Sequence, residues 1–539
     1  LNIEGNFLMN GGTLVFQNST FNCAGSWNDV SGALNMQGTS TINLDGNGTV
    51  SKNSAATNDF IFLNISGNYN AATNVKIVGS FDITSSGSLD IGAFTIECTG
   101  ADVNIANGGT LNFSDVNGIF DANSNFTAAD GANITFAANG RLKLAGASPR
   151  LGRINGAEFT SSEGTVEYDR LGGIQTIYDI PYFNLVINGT DVNDIKTANS
   201  NLDVNGALTV TNGNLTLNNI DLDLEGDFSM AAGSFAPGNS AANNVAGIWN
   251  ETGGLFQPAA GTFTFSGTGG KTIVQNAGNF FNDLTVASGG TDKISANSAI
   301  SVGGVFTNTN GTFDTEGNTV TVTGVTNIDG GILEIAAGTF DADNTFDANG
   351  ANVTFTGTGI LKLGGGTVDL GTLDATTNDG TVEYDFDGVQ GVFDATYHHL
   401  EIDNNTGTAT AGSALGVEGN LTVTTGNLTL NNIALTLGGN FVLTSGTFVP
   451  GNADHTVAGD WTETGGTTFE PTAGKFTFTG DTKTITTDAA NKFFNLFINP
   501  GGGNTVNAGS NLDIDGELEV TSGTLAMAGQ NANVAGTTD

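Results

Sequence analysis

A tetrad of apolar residue, spacer, glycine, spacer and then Phe, Leu or Trp recurs along this chain. In the regular runs its glycine returns about every 20 residues, a period that belongs to stacked repeats. It appears as Val204/Gly206/Leu208, Leu224/Gly226/Phe228 and Val245/Gly247/Trp249, and again as Val417/Gly419/Leu421, Leu437/Gly439/Phe441 and Val457/Gly459/Trp461. Strict alternation flanks each tetrad, as in Leu202, Val204, Leu208 and Val210. Period-two alternation marks short strands with one buried face. A unit this short cannot close a core alone and must stack on its neighbours. The pattern predicts an all-β fold, an elongated parallel β-solenoid with coils of about 20 residues.

A longer period lies over the short one. The stretch from Asn214 to Val286 returns from Asn427 to Ile498 at an offset of 213, and GTVEYD occurs at Gly164–Asp169 and Gly380–Asp385. An aromatic anchor recurs around Leu63, Leu185, Leu284, Leu400 and Leu496, with gaps of 122, 99, 116 and 96. Positions 1–539 therefore read as one continuous solenoid of about five units in two alternating types, with a mean anchor spacing of about 108. Regularity weakens near 120–180 and 338–400, where longer corner loops are expected.

Composition narrows the partners. Lys and Arg number 14 against 54 Asp and Glu, a formal charge of -40. Such a surface repels nucleic acid and anionic membranes, and no apolar run reaches the roughly 18–20 residues needed to span a bilayer. The Asn, Thr, Gly and Ser bias with sparse Lys suggests an extracellular, bacterial, cell-surface setting. Leu at position 1 suggests a processed chain or a piece of a longer one.

The block AGIWNETGGLFQPAAGTFTFSG (Ala246–Gly267) and its partner AGDWTETGGTTFEPTAGKFTFTG (Ala458–Gly480) resemble the repeats of large secreted bacterial surface proteins. The coil length is similar to that of filamentous-haemagglutinin-like adhesins. That resemblance implies a right-handed β-helix; for function it implies little, since the same fold serves adhesins, fibres and polysaccharide lyases.

Residues that could carry chemistry are few. Trp27, Trp249 and Trp461 sit two positions after a tetrad glycine and belong to the inward set. Cys23 and Cys98 take slots filled elsewhere by Val and are expected as free buried thiols, about four coils apart. His398, His399 and His455 are too dispersed for a histidine-rich metal site. Asp341, Asp343 and Asp347 have the look of oxygen ligands without completing a Ca²⁺ loop, so no cofactor is expected beyond weak Ca²⁺ association. All four arginines, Arg141, Arg150, Arg153 and Arg170, fall close together in the sequence and make one basic patch on an acidic chain. They either balance neighbouring carboxylates or contact an adjacent subunit or acidic glycan.

The first residues, Leu1 to Phe7, match Leu222–Phe228, and Val534 and Gly536 stand at the phase of Ile3 and Gly5. Leu1, Ile3, Phe7 and Val534 are thus candidate assembly residues, since ends in matching phase fit one another head to tail. The expectation is a non-enzymatic extracellular structural protein, the subunit of a self-assembling filament or surface fibre, with copies of itself as partners. A stalk segment of an adhesin that binds glycans or host proteins through its irregular loops is the second reading. A β-helix polysaccharide lyase is the third.

Overall fold

A computed structural model of the chain describes residues 1–53, 59–100, 102–137, 139–152, 164–375 and 379–538. Among these there is no helix. The chain forms two compact bodies, one of residues 1–267 with 275–279, the other of residues 268–274 with 280–539. Each is a parallel β-solenoid.

In the first body the chain runs through three short strands per coil. Phe62–Ile65, Asn68–Ala71 and Val75–Ile77 make one circuit. Each strand then pairs in parallel with its counterpart one coil on, Leu63 facing Phe81, Tyr69 facing Leu89 and Ile77 facing Cys98. Further along, Leu202 faces Leu222 and Leu208 faces Phe228, again one coil ahead. The second body repeats the arrangement, with Leu415 opposite Leu435 and Phe441 opposite Trp461. Because the register advances by whole coils, residues of one phase stack in columns.

The inward columns are apolar. Leu224, Phe228, Val245 and Trp249 are fully buried, as are Leu437, Phe441, Val457 and Trp461. Phe228 stacks on Trp249 and Phe441 on Trp461, each with ring centroids 4.0 Å apart. All three tryptophans and both cysteines are completely buried, and neither cysteine is bridged.

The tetrad glycine is required for space. A Cβ on Gly226 would lie 2.2 Å from the carbonyl oxygen of Gly206, and one on Gly459 would lie 2.0 Å from that of Gly439. A second glycine column serves conformation as well as space, a Cβ on Gly233 lying 2.1 Å from the Gly213 carbonyl oxygen. Gly213, Gly233 and Gly254 adopt φ of 84°, 77° and 82°, which L-residues rarely tolerate.

Between coils, side-chain oxygens take up backbone N–H groups. Asn420 Oδ1 accepts from Asn440 N at 3.0 Å, Asn440 Oδ1 from Asp460 N at 2.9 Å, and Asp460 Oδ1 from Thr484 N at 2.8 Å. On another face Asn2, Asn22, Asn43 and Asn64 form an amide ladder with N–O distances of 2.6–2.8 Å. Each coil therefore presents the next with a matched set of donors and acceptors.

Strands also run through the stretches expected to be irregular, including Ile119–Ala122, Asn133–Phe136 and Thr165–Tyr168. The bends after them are pinned by a hydrogen-bonded ring. Tyr178 N–H donates to Tyr168 Oη (2.9 Å), the Tyr168 and Tyr182 hydroxyls meet at 2.7 Å, and Tyr182 donates to Tyr178 O (2.6 Å). Tyr384, Tyr397 and Phe393 build the same ring in the later GTVEYD copy. This gives buried phenols their partners at a place where the coil departs from its regular path.

Candidate functional site

The arginine group lies among ion pairs made in equal number by arginines and by Lys143 among the described residues. Arg141 Nη1 meets Glu167 Oε2 at 3.0 Å, and Arg150 Nη2 meets Asp130 Oδ1 at 2.6 Å. Lys143 bridges Asp121 (3.3 Å) and Asp169 (3.0 Å). Burial opposes the Lys143 charge, but the hydrogen bond and charge of Asp169, with Asp121 beyond, hold its pKa above the usual value. Two of the arginines thus neutralise carboxylates of nearby coils. Arg153 lies outside the described residues. Arg170 forms no ion pair among the described residues, its Nε is buried without an acceptor, and it lines a recess of about 460 Å³ with Asp169 and Asn188. The later copy keeps the lysine, with Lys362 between Glu383 (3.0 Å) and Asp385 (3.4 Å), and has Phe386 where Arg170 stands.

The other candidates are dispersed. Asp341 faces Lys362 across a strand pair, and Asp347 Oδ1 accepts the N–H of Asn349. No group of three His, Cys, Asp or Glu able to hold a metal occurs among the described residues, so Asp341, Asp343 and Asp347 do not assemble into one. His398 pairs with Asp379 at 3.2 Å, and His399 Nδ1 accepts from Asn420 N. His455 is buried against Phe476, and burial lowers its pKa to about 4. Of the assembly candidates, Leu1 is 72 % exposed, while Ile3, Phe7 and Val534 are half-buried.

Sequence reasoning missed a duplicated buried network. Trp249 Nε1 donates to Glu251 Oε1 at 2.6 Å, and Glu251 Oε2 accepts from Asn279 Nδ2 at 2.8 Å and Asn276 N at 3.3 Å. In the second body Trp461 donates to Glu463 at 2.6 Å, and Glu463 accepts from Asn491 Nδ2 at 2.8 Å and Asp488 N at 3.0 Å. Desolvation raises both carboxyl pKa values, against the pull of these donors. The signal was present as Trp-x-Glu with an Asn at the same distance beyond the Glu in both copies, Asn279 after Glu251 and Asn491 after Glu463. These groups are sealed and fully engaged; they lock a corner and have no access to a reactant.

The geometry defines a class, the parallel β-solenoid repeat proteins. No protein-family model matches the chain, and no curated protein or solved structure matches it. The structure shows the β-solenoid, and the resemblance to filamentous-haemagglutinin-like adhesins rests on coil length alone.

Proposed function

We propose that this chain is an extracellular structural protein of a filament or surface fibre, in which coils continue end to end onto equivalent coils, and that it is not an enzyme. The observation that supports this reading is the generic coil-to-coil joint. Glycine carbonyls nest against the next glycine, as at Gly206 and Gly226, and an Asn or Asp oxygen receives the next N–H, as at Asn420 and Asn440. A joint that repeats with little change can be made by any coil of the same phase. A coil laid over Ile3 and Phe7 would bury them as their counterparts Leu224 and Phe228 are buried. Such a joint is heterologous, and it propagates.

The charge of -40 suits this role by keeping neighbouring fibres apart. Lateral contacts then fall to divalent cations or to the guanidinium of Arg170. Electron microscopy of the purified chain over a range of concentrations tests the proposal. Rods that lengthen with concentration are expected. Dispersed particles of constant length at every concentration would overturn end-to-end assembly.

A further inference from the structure

The Trp corner occurs three times, and one copy is built differently. Two copies are closed by glutamate and asparagine, as at Glu463 and Asn491. In the first copy Asp29, shorter by one methylene, takes the place of the glutamate, and Trp27 Nε1 is buried with no acceptor among the described residues. Trp27 faces Val50 and Trp461 faces Ile485, so Lys52 occupies the position of Thr487. The first corner opens into a cleft of about 910 Å³, lined by Asp29, Lys52, Asp59, Lys76, Phe94 and Glu97 among others.

The lining has a definite chemistry. The Lys52 side chain is only 7 % exposed, and its ammonium meets Asp59 at 3.1 Å and the carbonyl of Asn53 at 3.2 Å. An ammonium carries three donors, and two of them meet these partners among the described residues. Lys76 lies 3.7 Å from Glu97 at the more open side. The cations are already matched by carboxylates, and an acidic molecule of charge -40 repels polyanions. The wall sets ammonium, carboxylate, amide and hydroxyl groups beside the apolar Val30, Val75 and Phe94. It fits a guest whose groups donate and accept at once, and Phe94 supplies a half-buried ring for a sugar face. The volume is in the range of ligand-binding clefts, roughly 300–1,000 Å³.

We infer that the cleft between Asp29, Lys52 and Glu97 binds a neutral saccharide chain. This is independent of end-to-end assembly, because the cleft lies within the first body.

The test is an array of neutral gluco-, galacto- and manno-oligosaccharides beside sulfated and uronic-acid oligosaccharides, followed by calorimetric titration of any binder. Val30 is 53 % exposed at the rim of the cleft, so Val30→Trp should block it without disturbing the core. The double variant Lys76→Gln/Glu97→Gln alters two side chains that are 42 % and 38 % exposed and should fold normally. Each is expected to weaken binding of a neutral oligosaccharide by about tenfold or more, whereas Val192→Trp, at an exposed site away from the cleft, leaves it unchanged. Binding of none of the neutral probes, binding confined to anionic probes, or equal affinity in the cleft variants would overturn the inference.

Discussion

Acid should loosen the second body at one defined place, the buried imidazole of His455. Its Nδ1 accepts the Leu435 N–H at 3.2 Å, and its ring stacks on Phe476 at 4.5 Å between centroids. Protonation removes the acceptor and places a charge where 1 % of the residue is exposed. Burial, opposed only by Asp454, lowers the pKa from 6.5 to about 4. A base with a depressed folded pKa binds fewer protons folded than unfolded between those two values. Its contribution to stability is therefore complete above pH 6.5 and is lost as pH falls towards 4. At about 1.4 kcal/mol per unit, the loss comes to about 3 kcal/mol. The first body supplies the control, because Asn243 Oδ1 accepts the Leu222 N–H at the equivalent position. His455→Asn should cost some stability at pH 7.5 through the lost ring contact, yet remove the acid-dependent part. The assay is denaturant unfolding at pH 7.5 and pH 4.5, with hydrogen exchange at Leu435 as the local probe. Relief of the acidic self-repulsion at low pH is common to both proteins and cancels in the comparison. Parallel pH profiles for wild type and variant would refute the reasoning.

Two further substitutions probe the joints. Gly439→Ala places a Cβ 2.3 Å from the Gly419 carbonyl oxygen, and should destabilise by about 1–3 kcal/mol in urea unfolding. Gly465→Ala, with nothing within 4 Å, should be close to neutral. Glu463→Gln puts an amide N–H against either Trp461 Nε1 or the Asn491 and Asp488 donors, whichever way it is turned. It should cost about 1–3 kcal/mol and change the near-ultraviolet signal of Trp461; an unchanged midpoint and spectrum would show that the buried carboxylate is dispensable.

Columns were legible in the sequence because a solenoid writes its core as a linear period. The tetrad Leu437/Gly439/Phe441 declared an inward pair and a close approach one coil away, and both are found. The two uses of glycine were harder to separate. Gly226 and Gly233 look alike in sequence, and a Cβ on either would meet a carbonyl oxygen one coil away, yet only Gly233 also holds a positive φ, 77°. Partners outside the period stayed hidden. Asn279 reaches Glu251 across a separation that is not a multiple of the coil, so alternation contains no trace of it. The arginines were visible as a cluster. Their division into Arg141 and Arg150, which are paired, and Arg170, which has no ion pair among the described residues, depends on which strand edge each occupies.

The departures from repetition follow a physical logic. A coil that stacks on both sides has its columns prescribed by its neighbours, so changes at Gly439 or Phe441 propagate through the joint. Positions outside the repeated columns are under weaker control, and there the copies diverge: Asn243 against His455, Arg170 against Phe386, Asp29 against Glu463. Each exchange preserves the coil while changing what the corner offers. The first exchanges one neutral acceptor of the same backbone N–H for another that acid can protonate, and the second replaces a cation by a ring. The third leaves an indole N–H with no acceptor among the described residues and opens a cleft beside a buried ammonium, a loss of local stability that well-packed coils on either side can offset. Specific recognition in a repetitive scaffold is therefore to be sought where one copy gives up an interaction that its siblings retain, and in this chain the corner at Trp27 meets that condition.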